Sequence, residues 1–297
     1  MDLFLQQTVN AIALGGTYAL LALGLAVVFS IMGLINFAHG ELMTISGYVL
    51  MYCGLAAVPF PIAVILAIAA AVFAAIAMER IAFRPVRGGS GATMLVTSFA
   101  VAMILQVTFQ VFISARSQPV LLPAILSEST SLGGLVIGVN KIAAVIVTIV
   151  MLVFLDWFMK HQKTGIAMRA AAEDFAVARL MGIRANTVIA GAFALSGLLA
   201  GVAAVLWVSQ RASVDPLMGF TPVLKAFIAA ILGGLGSLRG AVAGGFLLGF
   251  IEVYLSAFLP REFQEFREPI GLAIVVIVLL FRPNGLLPAA TLKAEKV

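Results

Sequence analysis

The chain has 297 residues, 63% of them apolar and only 10% charged, with a net charge of +5, a pI near 9.7 and a mean hydropathy of +1.15. Soluble domains sit near about 45–50% apolar and about 25% charged, so this composition excludes a water-soluble globular protein and defines a polytopic, all-α membrane bundle. The basic residues are scattered among loops, as in a membrane protein with basic cytoplasmic segments, and do not form a nucleic-acid footprint.

The first ten residues contain Asp2 and no Lys or Arg, so the positive region of a cleavable signal is missing and the apolar run continues as a first span. Leu3 to Ala38 and Leu42 to Met78 hold no acidic or basic residue. A membrane helix needs only about 20 such residues. Thr8 to Met32 reads as the first helix, with small residues that permit a close neighbour. It ends in MGLINFAHGE, where Asn36, His39 and Glu41 gather at a helix break. The PFP sequence at Pro59 to Pro61 divides the next run into a short helix and a longer one. Arg80, Arg84 and Arg87 then mark a cytoplasmic loop.

Thr93 to Ser114 is the fourth span and carries Thr97, Gln106 and Gln110. A polar loop from Arg116 to Gly133 lies outside, and Gly138 to Phe158 returns. Lys160, Lys163, Arg169, Arg179 and Arg184 place the following segment inside. Asn186 to Val208 is the sixth span. Phe220 to Leu232 is too short to span comfortably, and a Gly-rich turn with Gly234, Gly236 and Ser237 leads to a helix carrying Glu252. Pro269 to Phe281 closes the bundle. The expected topology is about eight spans plus a short or re-entrant helix, amino terminus out and carboxyl terminus in. Gly33 to Leu42 and Gly233 to Val242 are similar enough as breaks to raise a duplicated architecture.

Chemistry inside the chain is sparse. No GxxxxGK[ST] occurs, so the chain has no P-loop for a nucleotide. Cys53 is the single cysteine, and His39 and His161 are too few for a His-based metal site. Ser196 lacks a general base, since the histidines fall at the ends of other helices. Glu252 is an intramembrane carboxylate, open to a pathway role or to a static pair with Lys225 or Arg239. Asn36, His39 and Glu41 either satisfy the broken backbone or gate a pathway, and Thr97 and Gln106 either line it or bond between helices.

Lys163 to Ile183 is the most specific segment. Met168, Ala172, Phe175, Ala176 and Leu180 recur with helical spacing and predict one apolar face, Arg169 and Glu173 form an i, i+4 pair, and Gly182 ends the helix. Such a segment fits either a socket for a partner protein or a loop helix packed on its own bundle.

Four stretches in this order, GLINFAHGELM, ERIAFRPVRG, TGIAMRAAAEDFAVARLMGI and AFIAAILGGLGSLRGAVAGG, resemble the permease family of ABC uptake systems for branched-chain amino acids. The resemblance runs from about Asn10 to Pro288 and includes the terminal RPNGLL, where Asn284 stands at a position that is commonly acidic in the family. It implies a single transmembrane permease domain in the bacterial inner membrane, with a coupling loop at 160–185. The implied partners are a second permease, related or identical, two cytoplasmic ATPases that bind ATP and Mg, a periplasmic binding protein and membrane lipid, with no cofactor in this chain. It also implies that the coupling helix docks on the ATPase through Gly165, Arg169, Ala170, Ala172, Glu173, Asp174, Ala178, Gly182 and Ile183. Pathway or gate residues would come from Asn36, His39, Glu41, Thr97, Gln106, Gly234, Gly236, Ser237 and Glu252. Permeases for urea, short amides and, more distantly, monosaccharides share this architecture, and an autonomous channel or carrier is the other alternative.

Overall fold

A computed structural model describes residues 2–132 and 135–287. The chain opens with helix α1 (Asp2–Met32), which stops at Gly33, a residue with φ of 63° that only glycine adopts readily. After a turn, α2 (His39–Leu55) and α3 (Phe60–Met78) follow, separated where Pro59 and Pro61 were expected to break the run. A π-helical turn over Glu79–Phe83 carries α3 into the single-turn α4 (Arg84–Val86). Then come α5 (Gly91–Phe112), strand β1 (Gln118–Pro119), hairpin strands β2 (Ser129–Leu132) and β3 (Leu135–Gly138), and α6 (Val139–His161). Two short helices, α7 (Lys163–Glu173) and α8 (Phe175–Leu180), precede the long α9 (Ala185–Arg211). Strand β4 (Ser213–Val214), α10 (Phe220–Gly233), α11 (Leu238–Phe258) and α12 (Arg267–Phe281) complete the order.

Six of these helical stretches are long and apolar enough to cross a membrane. Hydropathy alone leads to about eight; the difference lies in α2, with 17 residues, and α12, with 15. At 1.5 Å per residue these reach only about 25 and about 22 Å, less than a hydrocarbon core of about 30 Å. With 14 residues, α10 is shorter still, as its sequence indicates.

The core is built where small residues let helices touch. Gly245 and Gly249 of α11 lie directly on Ala19 and Gly15 of α1, leaving no room for a side chain, and α9 packs Gly197 and Gly201 against α3 in the same way. Consequently α1 and α9 are buried along most of their length, whereas α5 and α6 turn broad apolar faces outward.

The two ends of the bundle differ. At one end, β1 pairs antiparallel with β4, the β2–β3 hairpin approaches α1 through a hydrogen bond from Gln6 to the Val136 carbonyl, and Lys141 donates to Asn10 at 2.8 Å. The hydropathy pattern gave no sign of these small strands. At the other end lie α4, α7, α8 and the last described residues. There the backbone N–H groups of Leu286 and Leu287 donate to the Leu232 and Gly233 carbonyls, both at 2.9 Å, and so satisfy the orphan carbonyls at the end of α10. The RPNGLL stretch is thus a clamp on a broken helix.

Candidate functional site

Two sites emerge, one at mid-depth and one at the α7–α8 end. The first forms because α2 starts inside the bundle. Asn36 turns its side chain back onto the chain, accepting from the Ala38 N–H at 3.0 Å, and contacts Met78 Sδ at 3.7 Å. It is 1% exposed and holds the break together. One turn on, α2 meets the start of α10: the Thr44 hydroxyl accepts from the Gly219 N–H at 3.2 Å, and Gly40 sits against Gly219 so closely that neither could carry a side chain. Two broken helices therefore begin face to face within the bundle, where irregular backbone is tolerated only under protein cover.

His39 and Glu41 project from this first turn of α2. The Nδ1 of His39 lies 2.9 Å from Ser196 Oγ on α9. This corrects the expectation that no histidine comes within reach of Ser196: His39 begins a helix at the depth of the middle of α9, not at the bundle's surface. The pair is nonetheless no reactive centre. His39 and Ser196 are 0% and 1% exposed, and Gly24 of α1 closes over the imidazole, so the arrangement fastens three helices and admits no substrate.

Glu41 accepts from Gln106 Nε2 of α5 at 2.7 Å, while its second carboxylate oxygen is buried and meets no donor at hydrogen-bond geometry among the described residues. Beside it, Phe37 stacks on Phe99 of α5 at 4.4 Å and meets Phe227 of α10 edge-on at 5.3 Å. The Glu41–Gln106 bond and the Phe37–Phe99 stack pin the otherwise exposed α5 to the break. Of the residues expected to line a pathway, Asn36, His39, Glu41 and Gln106 are brought together. Thr97 stays apart and bonds its own helix at the Thr93 carbonyl. Gly234 and Gly236, with φ of 111° and 81°, form the turn after α10, and Ser237 caps α11 by accepting from the Gly240 N–H at 3.1 Å. Glu252 is paired: Lys225 Nζ lies 2.5 Å from one oxygen, and the Tyr18 hydroxyl donates to the other at 2.9 Å, which ties α1, α10 and α11.

The second site is the α7–α8 elbow. The helical periodicity predicts one helix through Leu180, but the structure breaks it at Asp174, whose φ of −151° is extended and whose carboxylate caps α8 by accepting from the Val177 N–H at 2.9 Å. The break rotates the apolar face. Gly165 and Ala178 are buried, as are Met168 and Ala171, and Ala170, Ala172 and Ile183 are half-buried. Gly165 has to be small because it rests on the backbone of Phe158 and Met159 at the end of α6. Leu180 and Met181, in contrast, are 86% and 79% exposed, and Val177 joins them. Gly182, with φ of 84°, ends α8 in a Schellman turn in which the Ile183 N–H reaches the Ala178 carbonyl at 3.1 Å. Glu173 and Asp174 are exposed, and no ion pair forms between Arg169 and Glu173; Arg169 turns instead to a groove beside α6 and α11.

Sequence reasoning missed Glu79. Its carboxylate is fully buried and takes Arg84 at 3.2 Å and Arg87 at 2.5 Å, while Arg87 also donates to Asn186 at the start of α9 at 2.8 Å. The clustered arginines read as a topology signal and concealed the anion they surround. Among the described residues, no group of three His, Cys, Asp or Glu side chains is arranged to hold a metal ion.

A multi-pass helical bundle with a polar helix break at mid-depth and an exposed apolar elbow at its basic end fits a membrane transport protein. The chain belongs to the family of permease components of branched-chain amino acid transport systems, whose model matches residues 7–281. It is 37% identical to the high-affinity branched-chain amino acid transport system permease protein BraD of Pseudomonas aeruginosa, over 96% of this chain and 95% of that one. Identity to the corresponding permease protein LivH of Escherichia coli is 36%, with the same coverage of both chains. The autoinducer 2 import system permease protein LsrC of Escherichia coli is 28% identical over 52% of this chain and 46% of its own length. No solved structure matches the chain.

Proposed function

We propose that this chain forms half of the translocation pathway of an ATP-driven importer for branched-chain amino acids in the bacterial inner membrane. The observation that carries the reading is near full-length similarity to two permeases named for that transport, against a half-length match to one named for autoinducer 2. That difference favours apolar amino acids over urea, short amides or sugars. The amino terminus lies outside and the α7–α8 end inside, an orientation supported by the arginine and lysine clusters at that end. A second permease completes the pathway, two ATPases bind ATP and Mg below it, and a periplasmic protein delivers the amino acid.

In this account the elbow formed by Val177, Leu180 and Met181 sits in a cleft of the ATPase. Closure of the ATPase pair pushes α7 and α8, and α6 and α9, which flank them, carry the movement into the bundle. Motion of α5 against α2 opens the pathway, with Glu41 and Gln106 separating as it does. A ligand drives such a change only through different affinities for the two states.

The test is to purify the chain from its own host by a tag and measure ATP hydrolysis of what accompanies it. Copurification of a P-loop ATPase, with hydrolysis stimulated by leucine-loaded periplasmic binding protein, is the expected result. A chain that purifies alone and admits leucine without ATP would establish a channel or carrier instead.

A further inference from the structure

A groove of about 450 Å³ opens between α1, α6, α7 and α11 at the basic end of the bundle. Its wall is apolar, made largely of Leu23, Leu152, Leu155, Met159 and Val242. Its rim carries Lys160, Arg169 and Arg239 against a single acidic residue, Asp156. Lys160 is already paired with Asp156 at 2.6 Å, whereas neither Arg169 nor Arg239 forms an ion pair among the described residues. Two guanidinium groups from different helices therefore share this rim over an apolar slot, with Asp156, which also feels Arg239, as the one acid beside them. Val153 and Trp157 on the neighbouring flank of α6 are exposed, and Trp157 stacks on His161, a ring pair suited to the headgroup level. Leu152 lies eight residues before Lys160 on α6, about 12 Å deeper along the helix, so the apolar wall runs well into the hydrocarbon region.

We propose that this groove holds an anionic phospholipid, its phosphate on Arg169 and Arg239 and an acyl chain along Leu152, Leu155 and Val242. The charge and the wall favour this occupant together. A guanidinium offers a planar fork of donors that matches a phosphate, and a basic recess between membrane helices on the cytoplasmic side is suited to an acidic headgroup. An acidic segment of a cytoplasmic partner would satisfy the rim but would leave the deep wall unfilled. Because Arg169 belongs to α7, the lipid bridges the elbow to α11, and the membrane's acidic lipid content tunes how firmly the elbow is held. The inference rests on the cytoplasmic assignment of this end, but its test reads lipid rather than transport.

The assembled transporter, released from vesicles of equal phosphatidylglycerol and phosphatidylcholine, is washed in detergent and its retained lipid is counted by native mass spectrometry. Two arginines each contributing about fivefold give a preference for phosphatidylglycerol of roughly 25-fold. The R169Q/R239Q double variant should lose that preference, and Leu152→Trp, which fills the slot without touching the charges, should lower retention of the lipid. Equal retention of both lipids by the wild type would overturn the proposal, as would unchanged phosphatidylglycerol on R169Q/R239Q. Loss of the ATPase from R169Q/R239Q with its lipid intact would assign the arginines to a protein contact and overturn it equally.

Discussion

Replacing both Leu180 and Met181 by aspartate is expected to leave the protein folded in the membrane while abolishing its hold on the ATPase. Both side chains are largely exposed, 86% and 79%, and neither belongs to the buried core. Substitutions at such positions change stability by about 0.5 kcal/mol or less. In the proposed docking the same two side chains enter an apolar cleft, and burial of a leucine or methionine is worth about 1.5–3 kcal/mol each. The combined loss is about 3–6 kcal/mol, or roughly two to four orders of magnitude in affinity. Membrane extraction and thermal melting should match the wild type, whereas ATPase copurification and ATP-dependent leucine uptake should vanish. Gly182 deserves the parallel substitution to alanine, since its φ of 84° holds the turn that aims α8.

Glu79→Ala should produce the opposite pattern, a protein that loses stability before it loses its partner. The carboxylate is fully buried and compensates two guanidinium groups whose side chains are 40% and 24% exposed. Removing one member of a fully buried pair costs about 3–5 kcal/mol. Partial exposure of the arginines lets water take over some of their solvation, which brings the expected cost to about 2–4 kcal/mol. The damage also spreads, because Arg87 fixes Asn186 in the first turn of α9, just after the elbow. Melting of the detergent-solubilised protein should report the loss. A melting temperature equal to the wild type would mean that the arginines are held by other means. Glu79→Gln keeps the shape and removes the charge, so it separates packing from ion pairing.

The elements of this fold were largely legible because membrane helices are written in long uncharged runs. The break at Pro59, the shortness of α10 and the left-handed glycine after α8 all follow from residues acting locally. What was illegible depends on which helix faces which. Nothing near Ser196 in the chain announces His39, 157 residues away, and nothing near Glu252 announces Tyr18. Glu79 looked like one charge at the margin of an arginine loop, yet it is the anion that the loop is built around. Asp174 is a different kind of miss. Its neighbours follow a helical period without interruption, but a carboxylate in extended backbone can cap a new helix, and that competing local bond divides α7 from α8. The consequence is that the break points Leu180 away from the bundle. Asn36, His39 and Glu41 stood out in the sequence because polar groups at membrane depth are rare, whereas nothing in it showed that the Thr97 hydroxyl bonds its own helix at the Thr93 carbonyl.

As proposed above, the α7–α8 elbow is a cytoplasmic docking point. Leu180→Cys tests it directly, because the chain's single native cysteine, Cys53, is buried and stays silent. A membrane-impermeant maleimide should label Leu180→Cys in inverted membrane vesicles lacking the ATPase subunits and fail to do so in intact spheroplasts. Coexpression of the ATPases should then protect the site. Labelling from the outer face, or labelling that the ATPases leave unchanged, would contradict the account.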